Sequence, residues 1–244
     1  MLAIFKKELS AYFNSTLGYI ILALYMLFSG FFFWMICFNG GTNAIVNVVN
    51  YMLYVVFFLV PLMTMKSFAE EKRQHTDQAL FTAPVGLWEI VLGKYLSALA
   101  LYVICNLSFI FYALVLTAVT GASIMWGHLI GAVLGIILLG AALLAMNLLF
   151  SSLTEHQIIA AVVGIAAGLV IMLYDSIVGA VENFINTLFT TEYQAVVIDK
   201  LSLTAHYESF ISGILSPVDF VYFLSFIALF LFLTNRVLDR KRWA

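Results

Sequence analysis

Charge is scarce in this sequence. Only 10% of its 244 residues are Asp, Glu, Lys or Arg, against about a quarter in an ordinary soluble domain. With 64% hydrophobic residues and a mean hydropathy of +1.07, the chain carries more apolar surface than one aqueous core can hide. That excludes a soluble globular fold and implies a polytopic membrane protein. The net charge of −2 says little about partners; its distribution says more. Cysteine is nearly absent. Cys37 and Cys105 lie in or beside apolar runs, at different depths on different spans, and read as small apolar side chains rather than a disulfide. The four histidines, His75, His128, His156 and His206, are far apart, and no Cys/His group has metal spacing. Ionisable side chains are essentially missing deep within the apolar runs. That counts against a proton-coupled pump or an ion channel with a charged filter. Asn106 and Asn147 are the main polar side chains there, and hydrogen bonding between helices accounts for them. No catalytic constellation appears, so an intramembrane enzyme lacks its side chains. No Walker A pattern occurs, so the chain cannot bind ATP by that route.

What is present is a set of long apolar runs. A spanning helix needs about 20 mostly apolar residues. Six segments qualify or nearly qualify: 17–38, 48–65, 94–118, 128–150, 157–174 and 217–234. The predicted fold is all-α, one transmembrane domain over residues 1–244. The first run exceeds the about 7–15 residues of a signal-peptide core and lacks a clear cleavage site, so it reads as a retained span. The last run opens on Ser216, Pro217 and Asp219, which suit the N-cap, N1 and N3 positions of a helix. Six spans put both termini on one side. That side holds Lys6, Lys7, Lys66, Lys72, Arg73, Lys94, Arg236, Arg240, Lys241 and Arg242, ten of eleven basic residues, and Lys200 alone falls on the other. The positive-inside rule therefore predicts cytoplasmic termini.

Shorter patterns flank the spans. Phe5, Leu9, Tyr12 and Phe13 repeat at i, i+4, i+7 and i+8, with Lys7, Ser10 and Asn14 opposite. This predicts an amphipathic helix over 1–16 lying in the interface, or else a plain extension of span one. Small residues recur four apart at Gly127, Gly131 and Gly135, and at Ala160, Gly164 and Gly168. Such rows allow close helix approach, within one chain or at a dimer seam. Thr154 and Gln157 have capping-box spacing for span five. Over 175–216, Ile177, Val181, Phe184, Ile185 and Leu188 form one helical stripe, and Tyr207, Phe210, Ile211 and Ile214 another. Each is too short to span, so both read as re-entrant or interfacial helices on the outer face.

The segment 66–93 differs from everything around it. Glu70, Glu71, Lys72 and Arg73 make a charged turn. Pro84, Val85 and Gly86 break the chain. Trp88, Val91, Leu92 and Tyr95 then restart an apolar stripe leading into span three. Two short helices in a V make a rigid lever; the plainer reading is a solvated charge cluster that only sets topology.

The run EEKRQHTDQALFTAPVGLWEIVLGKYL resembles the cytoplasmic loop of ABC-2 type transporter permeases. The small six-span branch with the gliding-motility and nitrous-oxide-reductase maturation permeases is the most similar. FKKELSAYFNSTLGY, SSLTEHQIIAAV and LSLTAHYESFISGILSPVDFVYFL match in the right order, so the resemblance covers essentially the whole chain. It implies a multi-pass subunit of the bacterial inner membrane. Two ABC ATP-binding subunits, a second permease copy or paralogue, membrane lipids and an auxiliary extracytoplasmic subunit are the implied partners, with no nucleic acid. ATP and Mg would belong to the partner, and no cofactor to this chain. The resemblance places a coupling helix between spans two and three. Its carried-over positions are Glu70, Glu71, Lys72, Arg73, Thr76, Pro84, Glu89 and Gly93. His206, Glu208 and Phe210 fall in the outer motif, as an outer gate or substrate exit, or as a helix-turn-helix that seals the outer leaflet. The implied function is export of an apolar, lipid-like or peptide substrate. The alternative is a membrane anchor or assembly protein that moves nothing.

Overall fold

In lipid every backbone N–H and C=O must be satisfied within the chain, so apolar runs of this length have to be helical. The computed structural model describes residues 1–40, 44–74, 86–121, 124–189, 202–214 and 216–243. In chain order its helices are α1 (Leu2–Asn14), α2 (Thr16–Gly40), α3 (Ile45–Thr64), α4 (Ala69–Arg73), α5 (Leu87–Thr120), α6 (Trp126–Leu153), α7 (Gln157–Phe189), α8 (Leu203–Ile211) and α9 (Pro217–Trp243). Six of them, α2, α3, α5, α6, α7 and α9, are long and apolar enough to cross a membrane.

The bundle is built around α6, which packs against α3, α4, α5, α7, α8 and α9. Its apolar window is 78% buried within the chain, against 22% for those of α2 and α7. The first belongs to the core; the other two leave their apolar sides for lipid or another subunit. Tyrosines tie the spans together. Tyr102 Oη donates to the Ile136 carbonyl (2.8 Å) and Tyr95 Oη to that of Ala141 (3.2 Å), joining α5 to α6. Tyr25 Oη donates to Asn106 Oδ1 (2.9 Å), joining α2 to α5. Asn106 therefore serves the interhelical role expected of it. Asn147 does not. Its amide donates to Leu143 on its own helix, and its buried Oδ1 has no hydrogen-bond partner among the described residues.

Both termini share one end of the bundle. Lys94 near the base of α5 meets Glu8 of α1, and Trp88 lies 6.4 Å from Phe232 of α9, centroid to centroid. This charged end faces away from a capped end formed by α8 and the starts of α6 and α9.

Several helices outrun the expected segments. Residue 94 does not start span three; α5 starts at Leu87. At about 1.5 Å per residue its 34 residues reach about 51 Å, beyond a hydrocarbon layer of about 30 Å. The stripe from Trp88 to Tyr95 is thus the base of α5, not a separate helix: the chain breaks before it, at Gly86, and the helix then runs on through Gly93 into the span. The stripe from Ile177 likewise continues α7 to Phe189. Backbone hydrogen bonding does not stop where hydropathy falls. The last helix also runs past 234 to Trp243. The Thr154–Gln157 box does not form as expected; Thr154 Oγ1 turns back to the Phe150 carbonyl (3.4 Å).

The small residues serve packing within the chain. A Cβ on Gly131 would stand 2.8 Å from the Phe210 carbonyl, and one on Gly135 2.6 Å from Phe210 Cβ. Gly164 faces Asn147 and Pro61, and Gly168 faces Phe57, while none of the described residues lies against Gly127.

Candidate functional site

Lys94 sits on the buried stripe of α5, in line with Ile90, Ala98 and Leu101, and is only 2% exposed. A buried cation costs several kcal/mol unless it is paired and hydrogen-bonded. Here all three ammonium donors have an acceptor. Nζ lies 2.8 Å from Glu71 Oε1 and 3.0 Å from Glu8 Oε1, and it donates to the Ser67 carbonyl at 2.6 Å. The Phe68 ring lies 5.1 Å from the same atom. One nitrogen therefore joins α1, the α3–α4 connection, α4 and α5.

The surrounding contacts hold this junction in place. Tyr12 Oη donates to the Met63 carbonyl at 2.8 Å, fixing α1 to the end of α3. Burial, and then the nearby Glu8 charge, push the Tyr12 phenol well above its ordinary range, so it stays a neutral donor. Gly93 admits α1 to α5; a Cβ there would lie 2.9 Å from Ile4 Cγ2. Lys72 Nζ donates to the Ser152 carbonyl at the end of α6. The amides of Phe68 and Ala69 donate to Ser151 Oγ at 3.1 and 3.3 Å. The charged turn is thus strapped to the core helix.

These contacts divide the eight expected interface residues. Glu71, Lys72 and Gly93 are used internally and offer little to a partner, because Lys94, Ser152 and Ile4 already hold them. Arg73 and Glu89 are exposed and Glu70 is half-buried. Trp88, next to Glu89 in the chain, is 44% exposed. Glu89 Oε2 lies 3.4 Å from the Met1 amine. Thr76 and Pro84 lie outside the described residues. Lys94 and Glu8 were absent from the expected set. The signal was available: Ile4, Glu8 and Tyr12 fall at i, i+4 and i+8, so a carboxylate sits on the line of α1 that faces protein.

Between α1 and α4 the charged end opens into a cleft of about 450 Å³. Lys7, Glu8, Tyr12, Lys66, Ser67, Glu70, Glu71, Gln74 and Lys94 line its polar part, with Ala11, Ser15 and Leu17 beside them.

The capped end is ordered differently. Ser202 Oγ caps α8 by accepting from the Ala205 amide at 3.0 Å. Phe210 is fully buried over Gly131 and Gly135 and meets Phe220 edge-on at 5.2 Å. Gly213, at φ +74°, lets the chain turn out of α8 toward α9. His206 Nδ1 lies 2.6 Å from Asp219 Oδ1, and its ring stacks on Tyr222 at 4.0 Å. Asp219 is thus more than a helix-start carboxylate; it latches α8 to α9. Glu208 is exposed, its carbonyl accepts from Ser212, and its carboxylate forms no ion pair among the described residues. Of the three expected gate residues, His206 and Phe210 join one packed unit and Glu208 stands apart. Burial pushes the Tyr207 phenol up, and its hydroxyl has no partner among the described residues.

Among the described residues no cluster of His, Cys, Asp or Glu could hold a metal ion. The groove between α5 and α6, about 370 Å³, is lined by apolar side chains such as Leu107, Trp126 and Val133, with Asn106 at its edge. Residues 38–190, more than half of the chain, match the model of a family described as ABC-2 family transporter protein. Comparison with curated proteins finds no match.

Proposed function

This chain belongs to the ABC-2 transporter family, and from that premise we propose that it is the permease subunit of an ATP-driven exporter in a bacterial inner membrane. As an ABC-2 membrane protein it is the multi-pass component of a transporter, and it works with an ABC ATP-binding subunit. The rest is our reading. The termini face the cytoplasm, where ten of the eleven basic residues gather. Two ATP-binding subunits, holding ATP and Mg, flank two permease chains, identical or paralogous. The cargo is apolar, lipid-like or peptide, which the α5–α6 groove supports by its lining.

One observation carries the coupling mechanism: Lys94 joins the charged turn to α1 and to the base of a spanning helix. A ligand shifts a two-state equilibrium only through differential affinity for the two states. ATP, bound elsewhere, supplies that difference if the motor grips this end. Arg73 and Glu89 offer the outward side chains, with Trp88 next to Glu89 in the chain, and the half-buried Glu70 belongs to the same charged turn as Arg73. Thr76 and Pro84 belong to the same segment. Glu71, Lys72 and Gly93 support it from within, so a push on α4 reaches α1, α5 and α6 together. His206 and Phe210 hold the far end shut until the spans move, and Glu208 marks its outer lip.

The test is reconstitution with the ATP-binding subunit in proteoliposomes. Charge reversal of the exposed pair, Arg73→Glu with Glu89→Lys, is expected to leave the motor's basal ATPase intact and to lower permease-dependent stimulation at least about tenfold. Unchanged stimulation and export would reject the coupling surface. Failure of any nucleotide-binding subunit to co-purify would favour the anchor or assembly role.

A further inference from the structure

We propose that the cleft between α1 and α4 binds an aminophospholipid headgroup, a phosphodiester that carries a primary ammonium. Its depth is the first argument. Leu17 is the second residue of α2, and Lys66 and Gln74 bracket the chain just after α3. The cleft therefore lies where two spans leave the apolar layer, at headgroup level on either orientation of the bundle.

Its charge is the second argument. Three lysines and three glutamates line it, so the lining is formally neutral. Those charges are not equally committed. Lys94 is bridged by both Glu8 and Glu71. Lys7 and Lys66 form no ion pair among the described residues. Among the described residues the Glu70 carboxylate accepts the neutral amide of Gln74, at 3.3 Å, and forms no ion pair. Two cations and one carboxylate in the cleft thus have no opposite charge among the described residues. A phosphodiester between Lys7 and Lys66, with its ammonium toward Glu70, completes the set. An anionic headgroup without an amine satisfies the lysines but leaves Glu70 facing added negative charge. A choline headgroup brings the charge but has no N–H to donate.

Shape is the third argument. A cleft of about 450 Å³ falls within the range of about 300–1,000 Å³ typical of small-ligand sites. Its walls are set without a ligand. Ser15 is extended (φ −101°, ψ 146°) between α1 and α2, and the chain closes so tightly that Gly18 abuts the Tyr12 carbonyl. Tyr12 Oη is engaged by Met63 and does not fill the space. Such preorganisation lowers the ordering cost of binding. A bound headgroup ties α1 to α4 across the cleft, beside Lys94. Lipid composition then becomes an input to the position of α4.

The experiment is native mass spectrometry of the full chain released from detergent micelles. Phosphatidylethanolamine, phosphatidylcholine and phosphatidylglycerol with identical acyl chains are titrated in turn. The expected result is phosphatidylethanolamine bound about tenfold more tightly than either of the others. Lys7→Ala with Lys66→Ala removes that preference. Glu70→Gln lowers the ethanolamine lipid to the choline level and raises the glycerol lipid. Because Glu70→Gln inverts selectivity on a half-exposed side chain, it decides the matter even if the double lysine variant misfolds. Equal binding of the three lipids, a preference for the glycerol lipid, or selectivity unchanged by Glu70→Gln would overturn the proposal. Inorganic phosphate and soluble glycerophosphoethanolamine separate the sources. Competition by the second alone supports a headgroup site, and full competition by inorganic phosphate overturns it in favour of a free-phosphate site.

Discussion

Removing the Lys94 ammonium tests the junction most sharply. Lys94→Ala leaves the carboxylates of Glu8 and Glu71 facing each other with no cation between them. Breaking a fully buried pair from one side costs about 3–5 kcal/mol. Here the lysine side chain is 2% exposed, but the glutamates retain 16% and 18%. Residual solvent lowers the penalty, so the expected cost is about 2–4 kcal/mol, or roughly 30- to 1,000-fold in an opening equilibrium. The loss should concentrate where the junction holds α1 against α5. Hydrogen exchange of α1 amides in nanodiscs reads that opening directly. Exchange should accelerate by that factor in α1 while the core of α6 is unchanged. The triple variant Lys94→Met, Glu8→Gln and Glu71→Gln removes every charge at once. It should recover most of the protection, because replacing a whole buried ion cluster is often nearly neutral. A shift below about 0.5 kcal/mol for Lys94→Ala, the value of a surface pair, would refute the reasoning. So would a triple variant as damaged as the single one.

Other perturbations address different parts of the fold. Gly135→Val drives two methyl groups into Phe210 and Tyr207; overpacking of this kind costs about 1–3 kcal/mol, measurable as a lower melting temperature in detergent. His206→Ala leaves Asp219 buried without its partner, a loss of about 1–3 kcal/mol, and protease accessibility at α8 should rise while α1 stays protected. Gly93→Val meets Ile4 at the α1–α5 contact and should raise α1 exchange as Lys94→Ala does, with the far end unaffected.

The sequence made the spans legible because lipid demands long apolar helices, and six helices long and apolar enough to cross a membrane cover the six expected segments. Their ends were less legible. The base of α5 and the tail of α7 extend beyond the expected apolar runs, where helical hydrogen bonding persists and composition no longer marks it. Both Asn106 and Asn147 donate to a carbonyl one turn back on their own helix; Asn106 was read correctly because its Oδ1 also accepts from Tyr25 of α2, whereas Asn147 Oδ1 has no such partner among the described residues. The site was legible as a segment and not as a geometry. A run of four charges announced itself, yet nothing in spacing alone told that Glu71 and Lys72 turn inward while Arg73 turns out. That division depends on Lys94 and Ser152, which are 23 and 80 residues away from their partners. The His206–Asp219 latch was hidden because Asp219 had a sufficient local explanation as a helix-start carboxylate.

Cysteine cross-linking between permease and motor tests the central claim most directly. With Arg73→Cys in the permease and single cysteines across the surface of the ATP-binding subunit, the account predicts a cross-link at one localised patch on that subunit. Its yield should change between nucleotide-free and ATP-bound states. A cysteine at Leu229, on the exposed apolar side of α9, should give none. A motor that binds the permease stably but never cross-links to Arg73→Cys, in any nucleotide state, would contradict the account.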